Sequence, residues 1–221
     1  MIKFTIVTIT YNAADVFMRT ADSVARQTYA AVEHLIIDGA SSDGTQNLAE
    51  EYKKASDAAC NGHEVRIVSE PDKGLYDAMN KGRRLATGDY VCFLNAGDFF
   101  PSADTLDVIA ANARLEECSS EGKPLPGVLY GDTDWVDNDG NYMSRRRLTP
   151  PEKLTWRSFR HGMLVCHQAF YARTDLAQKV PYDLRYRFSA DVDWCIRIMK
   201  EAEKESLPLV NVHATIADYQ R

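Results

Sequence analysis

The chain has 221 residues, 45% of them hydrophobic, and a formal net charge of -6 at pH 7. This is enough apolar material for a sizeable core in one domain, and the acidic balance argues against a nucleic-acid partner, whose phosphates call for a basic surface. Five cysteines, widely spaced and without a CxxC pair, give no support to a zinc site and point to reduced packing residues in a cytoplasmic protein.

Ile2 to Ile9 reads as a first strand that starts almost at the N-terminus, without the charged and apolar regions of a signal peptide. No apolar run is long enough to span a bilayer, which leaves peripheral contact with the inner face of the membrane open. Ala13 to Gln27 places Val16, Phe17, Ala21 and Val24 on one helical face. Val32 to Ile37 is the second strand. It ends in a polar loop whose Ser41, Ser42 or Asp43 can cap a helix reaching about Ala59. Arg66 to Ser69 is a third short strand. After the turn at Glu70 to Gly74, apolar residues recur at helical spacing from Leu75 to Ala86, and Thr87-Gly88-Asp89 stops that helix. Tyr90 to Leu94 is continuously apolar, as expected of a strand buried on both faces.

Right-handed crossovers convert this β-α-β-α-β-α-β order into an α/β fold with a mainly parallel sheet flanked by helices. The second half differs. A helix over Ala103 to Cys118 precedes a Ser/Gly/Pro-rich loop, and Val128 to Gly131 leads to the hairpin-type turn Asp137 to Gly140, predicting a small antiparallel portion. Met163 to Tyr171 reads as a strand followed by loop through Pro181, Asp191 to Glu203 as an amphipathic helix, and Leu207 to Tyr219 as a strand. The abrupt stop at Arg221 leads us to expect a missing C-terminal piece.

Ligands of open α/β sheets bind beyond the carboxyl ends of the strands. Asn95-Ala96-Gly97-Asp98 lies there, and the Asp98 carboxylate is suited to holding a divalent cation against a diphosphate. No GxGxxG follows the first strand, which carries Thr8-Ile9-Thr10-Tyr11-Asn12 instead, and there is no GxxxxGK[ST] loop. A Rossmann dehydrogenase and a P-loop nucleotidase are therefore disfavoured.

Four segments in order carry a resemblance: residues 8–12, Ile36 to Thr45, Ser69 to Gly82 and Phe93 to Asp98. Together they resemble glycosyltransferase family 2. The similarity is strong to about residue 100 and looser through Ala190 to Trp194. It implies a GT-A fold in a single domain, with residues 1–100 binding the nucleotide sugar and residues 101–221 the acceptor. It also implies a nucleoside-diphosphate sugar donor, a UDP-sugar by preference, with Mn²⁺ or Mg²⁺ and inversion at the anomeric carbon. The acceptor would be a hydroxyl of a glycan or lipid-linked glycan.

By this resemblance Asp98 holds the metal. Thr10, Tyr11, Asn12, Asp38, Asp72, Lys73, Asn80 and Asn95 border the nucleotide, His167 and Gln168 line the substrate cavity, and Asp191 is the general base. Each has a plainer alternative. Asp98 or Asp191 would serve as a helix cap, Asp72-Lys73 as a turn, Asn80 as a solvent-facing residue, and His167 as a bonded core residue. Arg145 to Arg147 are either a diphosphate clamp or a solvated face, and Trp135 and Trp156 either sugar platforms or packing. Asn95, Gly97 and Ala190 stand where relatives frequently carry acids, so a carbohydrate- or nucleotide-binding protein without turnover is the rival. A sugar nucleotidyltransferase is a second rival, lacking its glycine-rich basic loop here.

Overall fold

The computed structural model describes residues 1–220. Its first half runs β1 (Phe4–Thr10), α1 (Ala14–Ala25), β2 (Val32–Asp38), α2 (Thr45–Ala59), β3 (Glu64–Ser69), α3 (Leu75–Leu85) and β4 (Tyr90–Phe93). The strands lie in the order β3-β2-β1-β4, all parallel. Every residue of β1, β2 and β4 is buried, which is why apolar residues dominate these segments and fill β4 entirely. Most of their polar side chains are paired, Thr10 at the end of β1 being an exception. Glu33 accepts from Thr5, the Thr87 N–H and Arg66, and His34 is bonded to both Thr8 and Tyr52. Burial pushes the His34 pKa down to about 3, so the imidazole is a neutral spacer inside the sheet.

The second half runs α4 (Thr105–Asn112), α5 (Leu115–Ser120), β5 (Val128–Val136), β6 (Tyr142–Arg145), β7 (Phe170–Arg173), α6 (Thr174–Lys179), α7 (Ala190–Lys204) and β8 (Leu209–Gln220). β7 enters antiparallel between β4 and β5, with Tyr90 opposite Arg173 and Val128 opposite Ala172. β6 completes the predicted hairpin with β5, while β8 runs parallel along the other side of β5. The sheet is therefore mainly parallel with an antiparallel portion in the second half, as the sequence implies.

Three local expectations are corrected. The helix predicted over 103–118 is two helices, broken at Arg114, which adopts φ 53°. Of the strand predicted over 163–171 only Phe170 and Tyr171 are extended in β7; residues 167–169 form a 3-10 turn instead. The expected loop through Pro181 contains α6.

One face of the sheet packs on α3, α6 and α7 through a cluster of aromatic rings. Trp194 is fully buried, stacks on Tyr182 at 4.8 Å between centroids and meets Phe93 and Phe170 edge-on. Removing such a ring costs ~3–5 kcal/mol. No helix among the described residues is long and apolar enough to cross a membrane.

α3 approaches β1 so closely that a Cβ at Gly82 would collide with Val7 Cγ1. Val7 is fully buried and its branched side chain has few rotamers, so it cannot yield. We therefore expect Gly82→Ala to destabilise the fold by ~1–3 kcal/mol in urea unfolding, despite the gain of about 1 kcal/mol in helix propensity.

Candidate active site

β4 ends in the turn Asn95–Asp98, closed by the Asp98 N–H donating to the Asn95 carbonyl. Gly97 has φ 103°, a left-handed conformation that favours glycine. Thr20 of α1 fastens the turn from behind: its Oγ1 accepts from the Gly97 N–H at 2.9 Å and donates to the Asp98 carbonyl at 2.6 Å. Asp98 itself is 4% exposed. Gln168 Nε2 donates to its Oδ2 at 2.7 Å and the Gln220 N–H to its Oδ1 at 3.2 Å. These bonds do not offset the loss of water, and burial pushes its pKa up to about 6. The carboxylate caps no helix; it is desolvated, and among the described residues no Lys or Arg side chain bonds to it.

The residue beside Gln168 reaches the opposite wall. His167 Nε2 is 3.2 Å from Asn95 Nδ2 and His167 Nδ1 is 3.5 Å from Asp191 Oδ2. A neutral imidazole protonated at Nδ1 satisfies both, accepting from Asn95 and donating to Asp191. The other Asp191 oxygen accepts from the Tyr76 hydroxyl at 3.1 Å. Burial alone would raise the Asp191 pKa, but the contacts from His167 and Tyr76 outweigh it, holding the carboxyl below its ordinary value. Asp191 is thus ionised and able to accept a proton at neutral pH.

Beyond the ends of β1, β2 and β4 opens a cavity of about 660 Å³, lined by Ile9, Thr10, Tyr11, Gly39, Asp72, Leu75 and Ala96 among others. Tyr11 is 67% exposed, its ring presented to this space. Thr10 Oγ1 and Asn95 Oδ1 are buried with no hydrogen-bond partner among the described residues. Orphaned oxygens beside a cavity are what a bound polar ligand or cation would satisfy.

The structure brings Thr10, Tyr11 and Asp72 to the cavity wall, and Asn95, Asp98, His167, Gln168 and Asp191 into one connected cluster. Other expected site residues serve differently. Asp38 accepts from the Ser41 N–H and hydroxyl, Gln46 and Ser69. Its own chain therefore occupies the carboxylate, and these bonds outweigh burial to keep its pKa low. Asn12 locks the same loop, accepting from the Ser42 N–H. Asp43 bonds Thr45 and the Ala14 N–H, tying the start of α2 to α1. Lys73 is exposed and outside the cavity lining. Asn80 is neither a pocket residue nor solvent-facing. It donates to the Tyr182 carbonyl and accepts from the Tyr182 N–H, a brace within the core.

Among the basic residues, Arg145 pairs with Asp132, and Arg146 donates to the carbonyls of Leu148, Met163 and Leu164. Trp156 bonds Glu203 and meets Arg157 and Lys200, outside this site. Tyr76, Thr20 and Gln220 were missed in the sequence. Tyr76 lies inside the segment 69–82 that carries the resemblance, but no spacing relates it to Asp191.

Among the described residues no three His, Cys, Asp or Glu side chains converge as metal ligands. The donors nonetheless suit a hard cation shared with a ligand: one buried carboxylate to which no Lys or Arg of the described residues bonds, next to the Asn95 oxygen that has no partner among them.

Residues 5–179 match the family model described as "Glycosyl transferase family 2". The chain belongs to this family. A PGL/p-HBAD biosynthesis glycosyltransferase of Mycobacterium tuberculosis is 34% identical over 98% of this chain and 76% of its own length. The amylovoran biosynthesis glycosyltransferase AmsB of Erwinia amylovora is 30% identical over 99% and 69%. Among solved structures, S. aureus TarS 1-349 in complex with UDP-GlcNAc superimposes with TM-score 0.75 at 16% identity, covering 99% of this chain and 58% of that one. Mannosyltransferase PcManGT from Pyrobaculum calidifontis, in complex with GDP-Man and Mn²⁺, gives TM-score 0.63 at 17% identity, covering 99% and 56%. The fold is the GT-A fold of such glycosyltransferases.

Folding favours the protonated form of Asp98, whose ordinary value is 3.8. Its contribution is therefore most favourable below that value and is lost as pH rises through about 6. We expect Asp98→Asn to gain ~2–3 kcal/mol relative to the wild type between pH 4 and pH 8, read as the pH dependence of the difference in urea stability.

Proposed function

We propose that the protein is an inverting glycosyltransferase that moves a sugar from a nucleoside-diphosphate sugar to a hydroxyl of a glycan or lipid-linked glycan. The observation that carries this reading is the connection of Asp98 and Asp191 through the adjacent His167 and Gln168, in a cluster joined to the cavity lining by Ala96 of the 95–98 turn and by Leu75 beside Tyr76. In a single displacement the acceptor oxygen bonds to the anomeric carbon as the bond to the diphosphate breaks. Asp191 takes the hydroxyl proton, and the nucleoside diphosphate leaves with the bond's electron pair. Asp98, with Asn95 beside it, would hold a divalent cation, Mn²⁺ or Mg²⁺, supplying positive charge to the leaving diphosphate with phosphate oxygens and water completing its coordination.

The base of the donor would lie in the cavity against the Tyr11 ring, with Thr10 and Asp72 on the walls. Uridine is the preferred base, supported by the fold shared with TarS and its UDP-GlcNAc complex. Guanosine is the competing base on the same fold, as in PcManGT. The names of the relatives point to surface glycolipid or polysaccharide biosynthesis. An acceptor held on a lipid would bring the chain to the inner face of the membrane. The presence of only one carboxylate in the 95–98 turn favours, as a second reading, a nucleotide-sugar-binding protein without turnover.

A thermal-shift series with UDP, GDP and dTDP, each with and without Mn²⁺, tests the donor class. One diphosphate at 100 times its Kd stabilises the fold by ~2.7 kcal/mol. We expect UDP with Mn²⁺ to give the largest shift, and Asp98→Ala to remove its Mn²⁺-dependent part. With the matching donor, Asp98→Ala and Asp191→Ala should each lower kcat by about 100-fold or more, Asp191→Ala keeping donor binding. Wild-type transfer by both variants would overturn the mechanism. Binding with neither transfer nor Mn²⁺-dependent hydrolysis of the donor would favour the second reading.

A further inference from the structure

Asp191 is held by two side chains, of which His167 is an expected site residue and Tyr76 is not. The other, Tyr76, is the second residue of α3 and directly follows Leu75, which lines the cavity. Its hydroxyl donates to Asp191 Oδ1 at 3.1 Å, while His167 Nδ1 faces Oδ2 at 3.5 Å. The ring carrying that hydroxyl is itself fixed. Tyr76 stacks on Tyr182 with an interplanar angle of 18°, and Tyr182 stacks on Trp194 at 11°. Trp194 sits three residues beyond Asp191 on α7, the spacing that puts both on one side of a helix. Asn80, one turn along α3 from Tyr76, clamps the Tyr182 backbone at 2.8 and 2.9 Å. Two helices are thus locked by a three-ring stack; at its Trp194 end the indole N–H donates to the Val180 carbonyl, and at its Tyr76 end the hydroxyl falls on the carboxylate assigned as base.

We propose that Tyr76 is a positioning residue for Asp191. Its hydroxyl, with His167 on the second oxygen, fixes the rotation of the carboxylate and ties it to the wall of the donor cavity through Leu75. Packing of the ring needs no hydroxyl, because Phe would stack on Tyr182 equally well. Away from the site, the Tyr29 and Tyr90 hydroxyls go to the backbone carbonyls of Ile2 and Pro126, and Tyr52 bonds the neutral His34; Tyr76 alone of these meets a carboxylate. Burial, followed by the charge of Asp191, raises the Tyr76 pKa above its ordinary value, so the group stays a donor through the working range. Loss of the bond leaves Asp191 with the longer His167 contact alone.

This proposal rests on Asp191 being the base, so Tyr76→Phe and Asp191→Asn are measured side by side. Steady-state transfer is followed with the donor that stabilises the wild type, alongside diphosphate binding and Tm. We expect Tyr76→Phe to lower kcat about 10- to 100-fold, with donor KM within about twofold and Tm nearly unchanged. Retention of wild-type kcat by Tyr76→Phe while Asp191→Asn is inactive would overturn the role of Tyr76 and leave the base assignment standing. A raised donor KM at unchanged kcat would make it a donor contact instead. A Tm loss as large as that of Tyr76→Ala would assign the hydroxyl to stability alone, which also overturns the proposal. Full activity of Asp191→Asn would remove the base and this proposal together.

Discussion

His167 and Gln168 are neighbours in a single 3-10 turn, and their side chains reach the two carboxylates Asp191 and Asp98. Gln168, fully buried, is spent on Asp98; His167 is spent on Asn95 and Asp191. A regular strand here would alternate its side chains between the two faces of the sheet and could not serve both carboxylates from one side. The tight turn just before β7 solves this geometric problem, and β7 itself, lodged between β4 and β5, anchors the turn against the end of β4.

The two carboxylates occupy different electrostatic environments. Asp191 has hydrogen-bond donors on both oxygens and stays below its ordinary pKa, as a group needs that must be ionised to accept a proton. Asp98 is desolvated and pushed up to about 6, a condition that costs folding energy and that a divalent cation would relieve. The chain maintains that costly group with bonds from three places far apart in sequence: Thr20 to its turn, Gln168 to its side chain, and the Gln220 N–H from the end of β8. A buried carboxylate kept at such a cost and offset elsewhere by packing is the pattern that the proposed cation-holding role predicts.

The parallel half of the fold was legible because its signals are local. Strands β1, β2 and β4 are buried along their whole length and mostly apolar, and the loops between strand and helix carry turn residues, although Gly44 and not Ser41, Ser42 or Asp43 occupies the cap position of α2. The position of Asp98 followed from the same signals, since a polar turn after a buried strand falls at the ligand-binding edge. What stayed hidden depends on partners distant in sequence. Asn80 meets Tyr182 across 102 positions and Tyr76 meets Asp191 across 115. Helical periodicity placed both on α3 without saying what either faces. Asp38 sits at the predicted strand end, yet its bonds to Ser41, Gln46 and Ser69 turn it from an open ligand into a loop brace. The run Met163 to Tyr171 is apolar enough for a strand, and composition does not separate an extended segment from a 3-10 turn when only three or four residues decide the matter.

The account depends on the metal-side turn and the base sharing one site through His167. Paramagnetic broadening of histidine ring signals measures this most directly. With Mn²⁺ and UDP added, the ring of His167, identified by its loss in His167→Asn, should broaden strongly. The rings of His63 and His213, bonded to the Tyr29 carbonyl and beside Glu152 respectively, should broaden far less. The effect on His167 should vanish in Asp98→Ala. Equal broadening of all the histidines, or a His167 signal untouched while the diphosphate binds with Mn²⁺, would contradict the account.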